Sequence, residues 1–168
     1  MKPMIFTLVG KDKPGLIDSL AKTVYALKGN WTGSNFSHMA GHLAGFVHVD
    51  VPEEHHQALL DAFEAHPDLR IHLVPGEANT PENEKVVLVD VMGNDKTGIV
   101  QELTSVLHQF NINIIKFDSS CEPAPNWGGT LFKAQAKVAV PRGFDLDALT
   151  DALEDIANDL VVDIEIRR

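Results

Sequence analysis

The sequence predicts an α+β protein made of two ferredoxin-like βαββαβ domains, each with a four-stranded antiparallel sheet and two helices on one face. Three observations in the 168 residues lead to this fold: the sequence repeats at an offset of 83, an amphipathic helix recurs at that offset, and both copies have the same order of extended and helical segments. We therefore expect two domains, residues 1–75 and 86–168, joined by a polar linker over residues 76–85.

The repeat is visible without gaps when residues 4–37 are compared with residues 87–120. Seven of these 34 positions are identical, and four of the seven fall within six residues. Unrelated sequences would match at roughly one position in sixteen, so the chain is predicted to contain a duplicated domain. The identical pairs are Gly10/Gly93, Asp12/Asp95, Lys13/Lys96, Gly15/Gly98, Leu20/Leu103, Asn30/Asn113 and Ser37/Ser120.

The first helix of each copy is marked by apolar residues at positions i, i+3, i+7 and i+10. This spacing places their side chains on one face of an amphipathic helix that packs on the sheet. We predict that these side chains belong to the core and bind nothing. They are Ile17, Leu20, Val24 and Leu27 in the first copy and Val100, Leu103, Leu107 and Phe110 in the second.

Strands are predicted where β-branched and bulky apolar residues are dense or alternate with polar ones. They are Met4–Val9, Trp31–His38, Leu43–Val51 and Leu69–Val74 in the first copy, and Val86–Met92, Ile114–Cys121, Leu131–Val140 and Val161–Ile166 in the second. Pro52 and Pro141 end the third strand of each copy, because proline cannot donate to the ladder. A second helix is predicted after each of these prolines.

The charge balance argues against nucleic acid and anionic membranes as partners. The chain has 14 Lys and Arg against 24 Asp and Glu, a net charge of −10. Affinity for DNA and for anionic lipid depends largely on clustered cations. No apolar run suits a transmembrane helix or a signal peptide, and Cys121 is the only cysteine, which excludes an intrachain disulfide. The expected location is the cytoplasm.

The loop between the first strand and the first helix points to a family. The segment Gly10–Ile17 (GKDKPGLI), followed by Asn30 at the start of the next strand, resembles an ACT domain. The segment Gly93–Val100 (GNDKTGIV), followed by Asn113, resembles a second one. Two such domains in a chain of this length resemble the glycine cleavage system transcriptional repressor family.

This resemblance implies a regulatory protein and not an enzyme, with no cofactor. It implies that a small amino acid, with glycine as a candidate, binds at interfaces between paired domains. The ligand-binding residues would be Gly10, Asp12, Gly15 and Asn30 in the first copy and Gly93, Asp95, Gly98 and Asn113 in the second. An acidic repressor without a DNA-binding motif would act through a protein partner that itself binds DNA.

The chemistry of this loop suits an amino acid independently of the family. A helix N-terminus offers unpaired N–H groups and a partial positive charge to a carboxylate, and Asp12 or Asn30 can accept a hydrogen bond from an ammonium group. A purely structural role is also open, with Asp12 and Asp95 as N-caps and the glycines as turn residues. Thr97 stands where the family has proline, which predicts a looser start for the second copy's helix and favours the first loop as the site.

The remaining residues with reactive side chains are predicted to have simpler roles. Cys121 has no histidine near it in sequence, so we expect a buried or half-buried thiol and not a nucleophile. His38 and His42 lie in a strand and a turn, so they are expected on the solvated surface and no metal site is predicted. The loop glycines lack the spacing of nucleotide sites.

Two features suggest contacts with other proteins. Trp127 lies in a loop of the second copy that is six residues longer than its counterpart, and it is a candidate partner-binding residue. The bare faces and edge strands of the sheets predict oligomerisation, as a homodimer. The alternative to an amino-acid sensor is therefore a ligand-independent interaction module that uses these surfaces.

Overall fold

The computed structural model of the chain describes residues 1–74, 84–125, 128–156 and 159–166. It divides into two compact units, Met1–Asn79 and Thr80–Arg168, which we call the first and second unit. Strand pairing starts at Glu84, inside the predicted linker. The domain boundaries at 75 and 86 stay a prediction, because most of the predicted linker lies outside the described residues, and so does Trp127.

The first unit has the element order βαββαβ. Its elements are β1 (Lys2–Lys11), α1 (Leu16–Ala26), β2 (Asn30–Met39), β3 (His42–Val51), α2 (His56–Glu64) and β4 (Leu69–Val74). The second unit repeats this order with β5 (Glu84–Asn94), α3 (Ile99–Gln109), β6 (Asn113–Pro123), β7 (Thr130–Pro141), α4 (Leu146–Glu154) and β8 (Val161–Ile166). A 3-10 turn, Glu53–His55, precedes α2.

Each unit contains one four-stranded sheet, ordered β2-β3-β1-β4 in the first and β6-β7-β5-β8 in the second. All neighbouring strands are antiparallel. The predicted α+β fold with two ferredoxin-like domains is confirmed. Several strands extend one or two residues past their predicted ends, because their cross-strand partners continue the ladder into polar residues that sequence pattern assigns to loops.

The core of each unit lies between the helices and one face of the sheet. Its strand residues alternate with residues on the bare face, as the pleat requires. The core includes Met4, Phe6, Leu8, Leu20, Val47, Val49, Leu59 and Phe63 in the first unit, and Val87, Val89, Val91, Leu103, Phe132, Val138, Leu149 and Leu153 in the second.

The buried stripe of α1 and of α3 differs from the predicted stripe at its first member. Ile17 and Val100 are each 39% exposed, so their predicted place in the core is wrong. Leu16 and Ile99, the first residues of the two helices, are buried instead. Residues at i, i+4 and i+8 from these starts share a face. The buried stripes are therefore Leu16, Leu20 and Val24, and Ile99, Leu103 and Leu107.

The second strand of each unit contains a β-bulge at the same place in the repeat. The register with the third strand shifts between Trp31 and Gly33 in the first unit and between Ile114 and Lys116 in the second. After the bulge, Gly33 lies opposite His48, and Lys116 lies opposite Lys137. The bulge therefore fixes which side chains face each other on the bare face of each sheet.

Among the described helices, none has the length and apolar character needed to cross a bilayer.

Candidate functional site

The loop before the first helix has the same backbone conformation in both units. Gly15 (φ 88°, ψ 2°) and Gly98 (φ 82°, ψ 9°) lie in the left-handed region immediately before α1 and α3, where a side chain would be strained. Neither Asp12 nor Asp95 caps its helix, and no other side chain in the described part of the chain does so, so the interpretation of these two residues as N-caps is wrong. Thr97 does not loosen the helix start, since α3 begins at the position equivalent to α1.

These two helix starts present backbone N–H groups from which no side chain of the described residues accepts a hydrogen bond. A ligand carboxylate can take their place as the acceptor, and the helix dipole favours its negative charge. The space beside Gly15 and Gly98 is open to a ligand carboxylate, because a Cβ built at either glycine meets no atom within 4 Å.

Gly10 and Gly93, at the ends of β1 and β5, have a structural reason to be glycine. A Cβ at Gly10 would overlap the carbonyl oxygen of Asp68, just before the last strand of the unit. At Gly93 a Cβ would lie 3.0 Å from a methyl carbon of Leu160. Packing accounts for both glycines, and their contact with a ligand stays a prediction.

In the first unit, Asp12 is held at the mouth of the loop by two other segments. Its backbone N–H donates to the carbonyl oxygen of Gly41, in the turn between β2 and β3, at 2.9 Å. Its carboxylate Oδ2 lies 3.3 Å from Nε2 of His38, at the end of β2. The side chain of His38 is 61% exposed and that of Asp12 is 38% exposed, so the carboxylate can still accept a hydrogen bond from an ammonium group.

His38 is a residue that sequence reasoning missed. The sequence pattern places it on the solvated surface with no further role, yet it lies beside the loop carboxylate. The repeat offers a signal, because His38 and Cys121 are 83 residues apart, as are Asp12 and Asp95. The same pair of positions therefore meets in both units.

In the second unit, the loop forms a cleft of 490 Å³ with the end of β6. The structure brings Asp95 and Gly98 together with strand residues that the sequence did not assign to the site. The lining includes Asp95, Gly98, Ser119, Ser120 and Cys121. Backbone, hydroxyl and carboxylate groups thus surround a space large enough for a small polar molecule.

Cys121 is exposed, so the expectation of a buried or half-buried thiol is wrong. Partial desolvation in the cleft, and then the charge and hydrogen bond of Asp95, raise the pKa of the thiol above its ordinary value. The thiolate is the reactive form of cysteine. The thiol is therefore protonated at neutral pH and is a poor nucleophile.

Asn30 and Asn113 lie at the opposite end of the sheet from the loops. In the first unit, Asn30 pairs with Asp50 on β3, whereas Gly10 pairs with Leu43, seven residues along the same strand. At about 3.3 Å per residue, the separation is roughly 23 Å. The pairing in the second unit is equivalent, with Asn113 opposite Ala139 and Gly93 opposite Phe132. One small amino acid cannot touch both the loop and the asparagine of the same unit.

A serine and a histidine in the first unit lie close enough to suggest a nucleophile and its base, but the histidine has the wrong tautomer. Ser19 Oγ lies 3.1 Å from Nε2 of His66. Nδ1 of His66 accepts from the backbone N–H of Asp68, so Nε2 carries the proton and cannot act as a base. Within the described ranges, no three His, Cys, Asp or Glu side chains are grouped as metal ligands.

Comparison with known proteins identifies relatives of this fold. The sequence model of the ACT domain matches residues 2–71 and 85–120. No curated protein matches the chain in a sequence search. A crystal structure of an unknown protein from Galdieria sulphuraria aligns with a TM-score of 0.87 and 23% identity, over 99% of both chains.

A second crystal structure, of a protein assigned as a glycine cleavage system transcriptional repressor, aligns with a TM-score of 0.65 and 16% identity over 98% of both chains. At these identities the two structures show the shared fold of the whole chain.

Proposed function

The chain belongs to the ACT domain family, and from this we propose that it is a cytoplasmic regulatory protein that binds a small amino acid. Acting through a protein partner, it controls the transcription of glycine cleavage genes. Glycine is the first candidate ligand.

The observation that supports amino-acid binding is the loop that is built twice. In each unit a glycine in the left-handed conformation leaves the first turn of a helix without a side-chain cap, and a carboxylate lies at the same loop. The helix start suits the carboxylate of an amino acid, and Asp12 or Asp95 suits its ammonium group. A zwitterion satisfies both at once.

The placement of Asn30 and Asn113 supports a site shared between two domains. Each asparagine lies far from the loop of its own unit. A site that uses a loop and an asparagine therefore takes them from different domains. A homodimer would supply the missing half of each site, which agrees with the expectation drawn from the ACT resemblance.

Charge supports regulation through a partner and not through direct contact with DNA. The net charge of −10 repels the phosphate backbone. An acidic regulator is suited to binding a basic DNA-binding protein. The coupling free energy between binding of the ligand and binding of this partner is typically about 1–3 kcal/mol. Transcription control is the function named for the repressor that shares this fold.

The experiment is a thermal-shift screen of the twenty amino acids on the wild-type chain and on Asp12→Ala and Asp95→Ala. A ligand at a hundredfold excess over its Kd stabilises the native state by about 2.7 kcal/mol. We expect a shift with one or two amino acids that one of these variants loses. The control is Asp61→Ala, which removes an exposed carboxylate of α2 away from the loop.

The bare face of the first sheet favours a second candidate, the ligand-independent interaction module. Phe46 is 56% exposed and Val9 is 44% exposed on the side of the sheet away from the helices. The absence of a shift with every amino acid, together with concentration-dependent association in sedimentation, would replace the sensor with this module. A gel shift of DNA by the pure protein would contradict action through a partner.

A further inference from the structure

A second cleft lies at the other end of the second sheet, where β5 begins and β7 ends. Its volume is 970 Å³. It lies away from the loop cleft, because Glu84 and Lys85 are at the first residues of β5 and Gly93 is near its last. Four cationic residues contribute to its lining: Lys85, Lys116, Lys137 and Arg142.

The cations of this cleft are less well paired than the other cations of the second unit. Outside it, Lys96 pairs with Glu102 at 2.9 Å and Lys133 pairs with Glu122 at 2.7 Å. Inside it, only Lys116 has a carboxylate partner, Asp118 at 3.5 Å. Within the described ranges, no carboxylate forms an ion pair with the other three: Lys85, Lys137 and Arg142.

The register places two of these cations directly across from each other. Lys116 on β6 faces Lys137 on β7, just after the bulge. Like charges at directly opposite positions destabilise a sheet. In a chain with 24 carboxylates and 14 Lys and Arg, composition does not account for such a pair. An anion between the two ammonium groups would remove the repulsion.

The first unit provides an internal comparison at the same position of the repeat. There Lys2 Nζ pairs with Glu53 at 3.0 Å, and Gly33 lies opposite His48. Cross-strand pairing shows that Glu53 and Arg142 occupy equivalent positions. Lys2 pairs with Val51, two residues before Glu53. Lys85 pairs with Val140, two residues before Arg142. Arg142 therefore occupies the position of the carboxylate that neutralises the lysine in the first unit.

We infer that this cleft binds the phosphate monoester of a small molecule. Its four cations and two carboxylates, Glu84 and Asp118, leave a formal charge of +2. A phosphate monoester carries a charge of about −1.5 to −2 at neutral pH and three strong acceptor oxygens. The guanidinium of Arg142 can bind two of these oxygens, and the lysines act as point charges. Val86 and Leu88 give the carbon skeleton an apolar wall.

The test is calorimetric titration of the full chain with glycerol 3-phosphate, with glycerol and malonate as probes that lack the phosphate. We expect glycerol 3-phosphate to bind, and Lys137→Gln/Arg142→Gln to weaken it by about tenfold or more, which corresponds to about 1.4 kcal/mol. The matched control is Lys22→Gln/Lys133→Gln, which makes the same change in net charge at two exposed and already paired lysines. It should leave the Kd within about twofold.

A second variant, Arg142→Glu, imposes the arrangement of the first unit on the second. Its carboxylate should pair with Lys85 as Glu53 pairs with Lys2. We expect it to abolish phosphate binding without lowering the melting temperature, which separates loss of the site from loss of folding.

Four results would overturn the inference: no binding of glycerol 3-phosphate, equal weakening by the control variant, equal affinity for glycerol, or equal affinity for malonate. Amino-acid binding at the loops is measured separately, so either proposal can fail without the other.

Discussion

The two units have the same strand order and the same loop conformation, but they differ in the residues at both ends of the sheet. At the loop end, His38 lies beside Asp12 in the first unit, and Cys121 lies beside Asp95 in the second. At the other end, an ion pair between a lysine and a glutamate is replaced by a cluster of cations. The two units thus share a backbone arrangement, whereas the side chains at the two ends of the sheet differ between them.

The largest effect is expected at the glycines near the ends of β1 and β5, because the backbone that faces them lies closer in the first unit than in the second. Gly10→Ala places a methyl group against the carbonyl oxygen of Asp68, which cannot move without shifting the last strand. Gly93→Ala meets a methyl carbon of Leu160 at 3.0 Å, and the backbone atoms that face it lie 3.3 Å away. Overpacking of this kind costs about 1–3 kcal/mol, so we expect about 3 kcal/mol for Gly10→Ala and about 1 kcal/mol for Gly93→Ala.

Chemical denaturation of both variants measures this difference. Equal losses of unfolding free energy in the two variants would show that Gly10 and Gly93 are packed equally tightly against their neighbours.

A medium effect is expected at the loop of the second unit. Desolvation and the Asp95 carboxylate raise the pKa of the Cys121 thiol. Asp95→Asn removes the negative charge, lowers that pKa towards its ordinary value and increases the thiolate fraction at a pH of about 8. The rate of alkylation by iodoacetamide should rise several-fold, and its pH midpoint should move down.

Asp12→Asn is the matched control for this measurement, because its carboxylate lies in the first unit beside His38. It should not change the alkylation rate. If Asp95→Asn left the pH midpoint in place, the carboxylate and the thiol would not interact.

The smallest effect is expected at the exposed ion pair of the first unit. The hydrogen bond from Lys2, and then its charge, lower the pKa of Glu53. A carboxyl whose pKa is lowered on folding stabilises the native state above its unfolded pKa and loses that contribution as pH falls through the folded pKa. Lys2→Gln should move the pKa of Glu53 up towards its ordinary value, as followed by NMR titration of its side chain.

The control is Lys22→Gln, which removes an exposed lysine that pairs with Asp18 on α1. It should leave the titration of Glu53 unchanged. If Lys2→Gln left the pKa of Glu53 unchanged, the two side chains would not interact, and the two units would not differ by an ion pair at this position.

Most of the fold follows from local patterns in the sequence. The period of the apolar residues in α1 and α3, the prolines at the ends of β3 and β7, and the glycines before α1 and α3 each act within a few residues. These signals predicted the eight strands and the positions of the four helices that the described residues form. The first member of the core stripe, Leu16 in place of Ile17, shows the limit: the exact helix start decides which neighbour faces the sheet.

The candidate sites were only partly predictable. Asp12, Gly15 and their equivalents are recognisable because they recur at one offset and share one segment of chain. His38 and the cations of the second cleft were missed, because their significance depends on residues that lie far away in sequence.

The sequence by itself determined that the chain contains a duplicated α+β domain and where its helices and strands lie. It also determined which loop of each copy carries the repeated glycine and aspartate residues. Only the tertiary structure decided that Asn30 lies far from the loop of its own unit, that His38 reaches Asp12, and that Lys116 faces Lys137. The reason is physical: periodicity and turn chemistry are local properties of a chain, whereas strand register and the bulges that shift it arise from pairing between distant segments.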